Sequence, residues 1–219
     1  MLAIQGQLDA STAAPRGGAR RALDLAERVA LVMLYAWLAV RMLHNDSAGG
    51  LASATIVLSS EGLVVLLVLT RRAAQEMSLR PVEWCLAIAA TTLPLCVQAG
   101  GDWNLVPTWI GGVVAVLGIV VQLYAKLSLG RSFGCIPALR GLKTGGPYRY
   151  VRHPIYAGYL LTHLGFLVMN PSGWNLAVYL CCYAAQIPRL HAEERMLSRD
   201  AGYAEYQASV RYHLIPGLY

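Results

Sequence analysis

Apolar and polar positions divide this chain into long blocks rather than short alternations. Apolar runs cover about residues 29–43, 51–70, 81–99, 109–127, 154–170 and 174–188, the last continuing in more polar form to Arg199. Each is near the roughly 20 residues with which a helix crosses the hydrocarbon of a bilayer. Breaks between them are marked by turn and charge signals: Asn45 to Gly50, Arg71-Arg72, Gly100 to Thr108, and Asn170-Pro-Ser-Gly173. Pro81 and Pro154 stand where a helix tolerates proline best, in its first turn. The pattern predicts an all-α polytopic bundle of about six membrane helices. Residues 1–28 form a mobile N-terminal segment, 29–128 hold the first four helices, and 129–219 form a C-terminal region whose last two helices make a tight hairpin around Asn170 to Gly173.

Basic residues give the bundle an orientation. Arg16, Arg20, Arg21 and Arg28 precede the first run, and Arg71, Arg72 and Arg80 lie between the second and third. Lys126, Arg131, Arg140, Lys143, Arg149 and Arg152 lie between the fourth and fifth, and Arg189, Arg195, Arg199 and Arg211 in the tail. The opposite loops hold almost none, Arg41 excepted, where a long side chain can snorkel. Positive charge marks the cytoplasmic face, so six spans put both termini there.

Composition agrees. Of 219 residues 56% are hydrophobic and 14% charged, and the mean hydropathy is +0.46. That is an integral membrane protein by default. The net charge of +6 raises nucleic acid as a partner, but the basic residues sit at the ends of apolar runs, which favours the membrane instead. Five cysteines without a C-x-x-C spacing make neither a metal site nor a disulfide framework, and read as packing residues. His44, His191 and His213 form no metal spacing with any acid. Glu61, inside an apolar run, is a functional candidate because an intramembrane carboxyl is costly, whereas Glu83 and Gln98 are expected at the interface. Gly111 and Gly118 are seven apart, as are Gly158 and Gly165, so each pair lies on one helix face and suits close helix contact. No glycine-rich phosphate loop follows a strand pattern, which excludes a soluble dinucleotide-type domain.

The stretch from Gly145 to Gly158 carries the chemistry. Gly145, Gly146 and Pro147 end any helix arriving from upstream, and Pro154 opens a new one. Free N–H groups at that terminus, with Arg149 and Arg152 beside them, favour an anionic group. Beyond the hairpin, Arg189 and Glu193 are four apart on one helix face, and Glu194 points about 100° away, so the two acids have different tasks. His153 at the loop-to-helix junction can donate to a carboxylate or a backbone carbonyl. Tyr159 and His163 follow Tyr156 on the same side and suit packing or an interhelical hydrogen bond. Tyr148 and Tyr150 also suit interface anchors.

The run GPYRYVRHPIYAG, followed by Glu193-Glu194, the tail Tyr203-Ala-Glu-Tyr206 and the closing Ile215-Pro216, resembles the isoprenylcysteine carboxyl methyltransferase family over about residues 129–216. That family, with the related phospholipid methyltransferases, comprises membrane enzymes that use S-adenosylmethionine. The resemblance implies a cofactor site on Tyr148, Arg149, Val151, Arg152, His153, Tyr156, Glu193 and Glu194. It also implies that Arg189, a turn before the paired acids, holds an acceptor carboxylate, with Glu193 beside it in the reaction. The acceptor implied is a prenylated cysteine or a simpler lipophilic thioether acid drawn from the bilayer. His191 and Ala192 depart from the more acidic eukaryotic run ahead of the pair and leave the acceptor open. Methylation of a phospholipid amine or a small thiol is the alternative within the class. A non-catalytic scaffold or transporter is the alternative outside it, although no pattern of intramembrane charge or broken helices favours transport.

Overall fold

A computed structural model describes residues 17–44, 62–101 and 106–218. The expectations for Glu61, Asp102, Trp103 and residues 1–16 lie outside the described residues, as do the side chains of Arg41 and His44. The described residues are mostly helical, as expected. Helix α1 is Gly17–His44, α2 covers 62–70, and α3 is Pro81–Thr92, continued by a tighter turn at Leu93–Cys96. Helix α4 is Thr108–Leu129, α5 is Pro154–Met169, α6 is Gly173–Leu197 and α7 is Tyr203–Ser209. Two short strands, β1 (Glu76–Met77) and β2 (Ala138–Leu139), pair antiparallel with Glu76 opposite Leu139. Among the described residues one helix, Thr108–Ser132, is long and apolar enough to cross a membrane, with mean hydropathy 2.0. Pro81–Cys96 and Pro154–Met169 are apolar but shorter.

Local chemistry sets the helix ends. Prolines occupy the first turns of α3 and α5, where a missing N–H costs nothing. The Ser172 side chain caps α6 by accepting from the Asn175 N–H at 3.1 Å. Gly130, at φ 52°, lets the chain leave α4 in a left-handed conformation that a side chain would resist.

Helices α4 and α5 pack backbone to backbone through the two spaced glycine pairs. A Cβ at Gly158 would lie 2.7 Å from the Gln122 nitrogen, and one at Gly165 would lie 2.6 Å from the Gly111 carbonyl oxygen. No real Cβ sits that close, so only glycine permits this approach.

The expected tight hairpin of α5 and α6 takes a different form. The turn is short, but α5 lies along α4 while α6 packs mainly on α3. Rings hold α5 and α6 apart: His163 stacks on Tyr179 at 4.7 Å, Phe166 meets Tyr179 edge-on at 6.4 Å, and the His163 ring nitrogen bonds the Tyr183 hydroxyl at 3.1 Å. Glycine brings one pair of helices together and aromatic bulk keeps the next pair open.

Polar contacts gather at the two ends of the bundle. At one end Asn175 bonds the Gln98 backbone through both its side-chain atoms, at 2.9 Å each, and Asn170 accepts from Gly100. The opposite end collects the basic segments. Arg71 and Arg140 both reach Asp24 and Glu27, and Arg28 pairs with Asp24 at 2.9 Å. Glu27 Oε1 also accepts the backbone N–H groups of Cys135 and Ile136. Residues 17–28, expected in a mobile segment, are therefore helical and tied down, because their two acids meet three arginines. Arg140 itself is held below its ordinary pKa by burial, with the nearby acids opposing that shift. Glu83, expected at the interface, is buried and pairs with Arg195 of α6 at 3.2 Å. Of the cysteines, all free, Cys182 is buried while Cys85, Cys96 and Cys181 are on the surface rather than in packing.

The glycine contact makes a contrast that stability can read. Gly158→Ala forces α4 and α5 apart and should cost about 1–3 kcal/mol. Gly112→Ala, whose nearest neighbour would be the Met169 sulfur at 3.8 Å, should be nearly neutral. Thermal unfolding of detergent-purified protein checks both; equal melting temperatures would remove the close-contact role.

Candidate functional site

Helices α5 and α6 each bring a polar turn to the same end of the bundle. The loop that leaves α4 winds over them before α5 begins. Two adjoining cavities lie between these parts. The larger, of about 200 Å³, is lined by Tyr156 and Tyr159 of α5, Gln186, Arg189 and Glu193 of α6, and Lys126 of α4. The smaller, of about 60 Å³, is lined by Tyr148, Arg140, Arg152, Glu193, Leu197 and Tyr206. Gly134, Cys135 and Glu193 contribute to both, so the carboxylate stands at the boundary.

The two glutamates have different partners, as their 100° separation implies. Glu193 accepts from the Tyr156 hydroxyl at 2.9 Å. Glu194 accepts from Arg152 Nε at 2.9 Å, from His153 Nε2 at 2.7 Å and from Gln207 at 3.0 Å. Burial opposes ionisation of Glu194, but the hydrogen bonds and charges of His153 and Arg152 prevail and hold it well below the usual carboxylate range. The Tyr148 hydroxyl is pushed well up by burial and by the Glu193 charge, and Tyr206 is pushed up to about 12, chiefly by burial. Tyr206 donates to the Tyr148 carbonyl at 2.8 Å, which fastens α7 to the loop. Burial likewise raises the Cys135 thiol, which therefore stays neutral where the cavities meet.

The Arg189 guanidinium lies over the Tyr156 ring, 5.6 Å from its centroid. It donates to Gln186 at 3.3 Å and to the Cys135 carbonyl at 2.9 Å. Its Nε is buried without a hydrogen-bond partner among the described residues, as is Nε of Arg140. Each cavity is thus lined by a guanidinium with an unfilled donor, which suits an anionic group.

Of the residues singled out in the sequence, the fold brings Tyr148, Arg152 and Glu193 to the smaller cavity and Tyr156, Arg189 and Glu193 to the larger. His153 and Glu194 stand behind Arg152 in a cluster with the tail. Val151 is buried, and Arg149 is exposed and in the lining of neither cavity. Sequence reasoning missed Tyr206, Gln207, His213, Gln186 and the Gly134-Cys135 turn. Tyr206 lay within a noted tail motif, and Gln186 is three residues before Arg189 on the same face. The turn and His213 carry no local signal, since their partners are far along the chain.

Arg152 is the centre of the tail cluster. It donates through Nη1 to the carbonyls of Val210 and Arg211, both at 2.9 Å, and through Nη2 to His213 Nε2 at 2.6 Å. A guanidinium only donates, so His213 Nε2 accepts and the ring is neutral with its proton on Nδ1. Burial, and then the charge of Arg152, holds His213 below the ordinary value of 6.5; His153 and His191 act in the same sense and Glu194 against. The unfolded state therefore takes up this proton first. The stabilisation from neutral His213 is full above about pH 6.5 and is lost as pH falls through the lowered value. His213→Gln keeps an acceptor and cannot titrate. Its melting temperature should fall less than that of the natural sequence between about pH 7 and pH 5. Parallel curves would show that His213 does not titrate against Arg152.

Comparison with known proteins finds similarity that takes in most of the polar residues lining these cavities. Residues 106–203 match the phospholipid methyltransferase family model. Protein-S-isoprenylcysteine O-methyltransferase A of Arabidopsis thaliana is 36% identical over 110 residues, covering 46% of this chain and 55% of the relative. Its B counterpart is 34% identical over 115 residues, covering 47% and 57%. A probable protein-S-isoprenylcysteine O-methyltransferase of Oryza sativa subsp. indica is 32% identical over 112 residues, covering 47% and 58%. The chain therefore spans little more than half the length of these curated relatives.

Proposed function

From the match of residues 106–203 to the phospholipid methyltransferase family model and the likeness to protein-S-isoprenylcysteine O-methyltransferases, we propose that this chain is of the isoprenylcysteine carboxyl methyltransferase family and methylates the carboxylate of a prenylated cysteine or a similar lipophilic thioether acid. The methyl donor is S-adenosylmethionine. The observation that carries the reading is the pair of adjoining cavities with Glu193 between them, each lined by a guanidinium with an unfilled donor.

The residues suit the two ligands separately. The smaller cavity offers arginines for the cofactor carboxylate, Glu193 for its ammonium or hydroxyl groups, and the Tyr148 and Tyr206 rings for its base. At about 60 Å³ it is below the roughly 300 Å³ of ordinary ligand pockets, so cofactor entry requires this cavity to widen. Val151, His153 and Glu194 support this side by fixing Arg152 and the loop, and Arg149 reaches the cofactor only from outside. The larger cavity holds the acceptor, with Arg189 orienting its carboxylate.

The cofactor supplies a methyl group already activated by its sulfonium. A carboxylate acceptor is already a nucleophile, so no general base is needed and no proton changes hands. The chain's contribution is placement and the exclusion of water. The Arg189 fork can hold a carboxylate through two parallel hydrogen bonds, which fixes the angle of attack. Tyr156 and Glu193 brace the boundary between acceptor and donor.

The wider arrangement supports a membrane enzyme of about six spans with both termini cytoplasmic. The basic segments meet at one end of the bundle: Arg71 and Arg140 at Asp24, Arg199 at Glu76, and Arg195 at Glu83. The acceptor would enter from the bilayer and the cofactor from the cytosol. Methylation of a lipid amine fits less well, because two cations line the acceptor cavity.

The Arg189 fork is testable by substitution. Arg189→Lys keeps the charge and loses the planar pair of donors. It should retain S-adenosylhomocysteine affinity while transfer falls roughly ten- to thousand-fold, or about 1.4–4 kcal/mol of transition-state stabilisation. Turnover and cofactor affinity of Arg189→Lys and Arg189→Gln are the measurements. Near-normal turnover in both would remove Arg189 from the reaction and with it the case for a carboxylate acceptor.

A further inference from the structure

The larger cavity contains a cation that the proposed reaction has not used. Lys126, in the last turn of α4, is only 3% exposed and lines this cavity. Its ammonium donates to Gln122 Oε1 at 3.1 Å and lies 5.5 Å from the centre of the Tyr159 ring. Gln122 donates in turn to Thr162 Oγ1 at 3.0 Å, and Thr162 to the Gly158 carbonyl at 2.9 Å. This relay fixes the Gln122 oxygen towards Lys126 and occupies one of its three donors. Among the described residues no acid forms an ion pair with Lys126.

A buried cation without a counter-charge is costly, and the C-terminal end of the α4 dipole offsets only part of the cost. The charges lining the cavity are Lys126, Arg189 and Glu193. Glu193 acts electrostatically on Arg189. Two cations against one acid leave a single positive charge, which one carboxylate would neutralise.

We propose that Lys126 supplies the counter-charge by which this cavity distinguishes an acidic acceptor from its methylated product. The inference rests on the carboxylate reading above. As the acceptor oxygen bonds to the methyl carbon, the carbon–sulfur bond breaks and its electron pair stays on sulfur. The carboxylate loses its negative charge and the sulfonium its positive charge, with no proton released. Lys126 then faces a neutral ester and is again uncompensated, which favours departure of the product. The acceptor and the ester have almost the same shape, so charge is what separates them.

The test uses the full chain in detergent, saturated with S-adenosylhomocysteine, and two probes: N-acetyl-S-farnesylcysteine and its methyl ester. The natural sequence should bind the acid about 10- to 100-fold more tightly than the ester. Lys126→Met should abolish that preference and raise KM for the acid by a similar factor, with a smaller change in kcat and unchanged S-adenosylhomocysteine affinity. Lys126→Arg should restore the preference. Equal binding of acid and ester by the natural sequence overturns the inference without any variant being needed. So does a Lys126→Met protein that keeps the natural ratio; ester formed by that protein at the natural KM would leave the reaction standing and remove only the role of Lys126. Conversely, Lys126-dependent binding of the acid with no ester formed in a transfer assay supports the anion site and contradicts the proposed reaction.

Discussion

The backbone contact between α4 and α5 is the constraint from which the cavities follow. Gly111, Gly118, Gly158 and Gly165 allow the two helices to touch along one face. Helix α5 then has only its other face to offer α6, and that face carries Tyr156, Tyr159 and His163. Rings of this size keep α6 at a distance, so a gap remains where the glycines have left none. The gap is the larger cavity. Small residues on one side of a helix and large ones on the other thus create a compartment without breaking either helix.

The polar end of the bundle depends on a second set of contacts, made over long sequence distances. Arg152 connects the loop before α5 to Glu194 on α6 and to the tail at Val210, Arg211 and His213. Glu27 holds the Cys135–Ile136 backbone, and so the turn shared by both cavities, from a helix more than 100 residues away. Removing one member of such a buried set leaves charges unpaired, which is why the parts depend on each other. Glu194 and His153, which the family pattern suggests as cofactor contacts, stand here behind Arg152 and fix its position.

Features set by a local period were legible in the sequence. The seven-residue glycine spacing named the close helix face, the 100° between Glu193 and Glu194 implied separate partners, and Pro154 marked the start of α5. Features that depend on which helix meets which were not. Chain neighbours usually pack together, so α5 and α6 were expected as a tight hairpin, and ring size decided otherwise. Arg189 and Glu193 share a face at the right spacing for an ion pair, yet Arg189 reaches the Cys135 carbonyl instead. Residues 17–28 read as mobile because two of their three arginine partners, Arg71 and Arg140, lie in other segments. The position of Lys126 at the end of an apolar run read as a topology signal, and only the fold turns it towards a cavity.

A transfer assay with product identification tests the central claim most directly. Purified protein is given S-adenosylmethionine with a labelled methyl group and a panel of a prenylated cysteine, phosphatidylethanolamine and a small thiol, and the labelled product is identified by mass. Two cavities meeting at Glu193, with a cationic lining on the acceptor side, predict the carboxyl methyl ester of the prenylated cysteine. An N-methylated lipid or an S-methylated thiol, with no ester formed, would contradict the account.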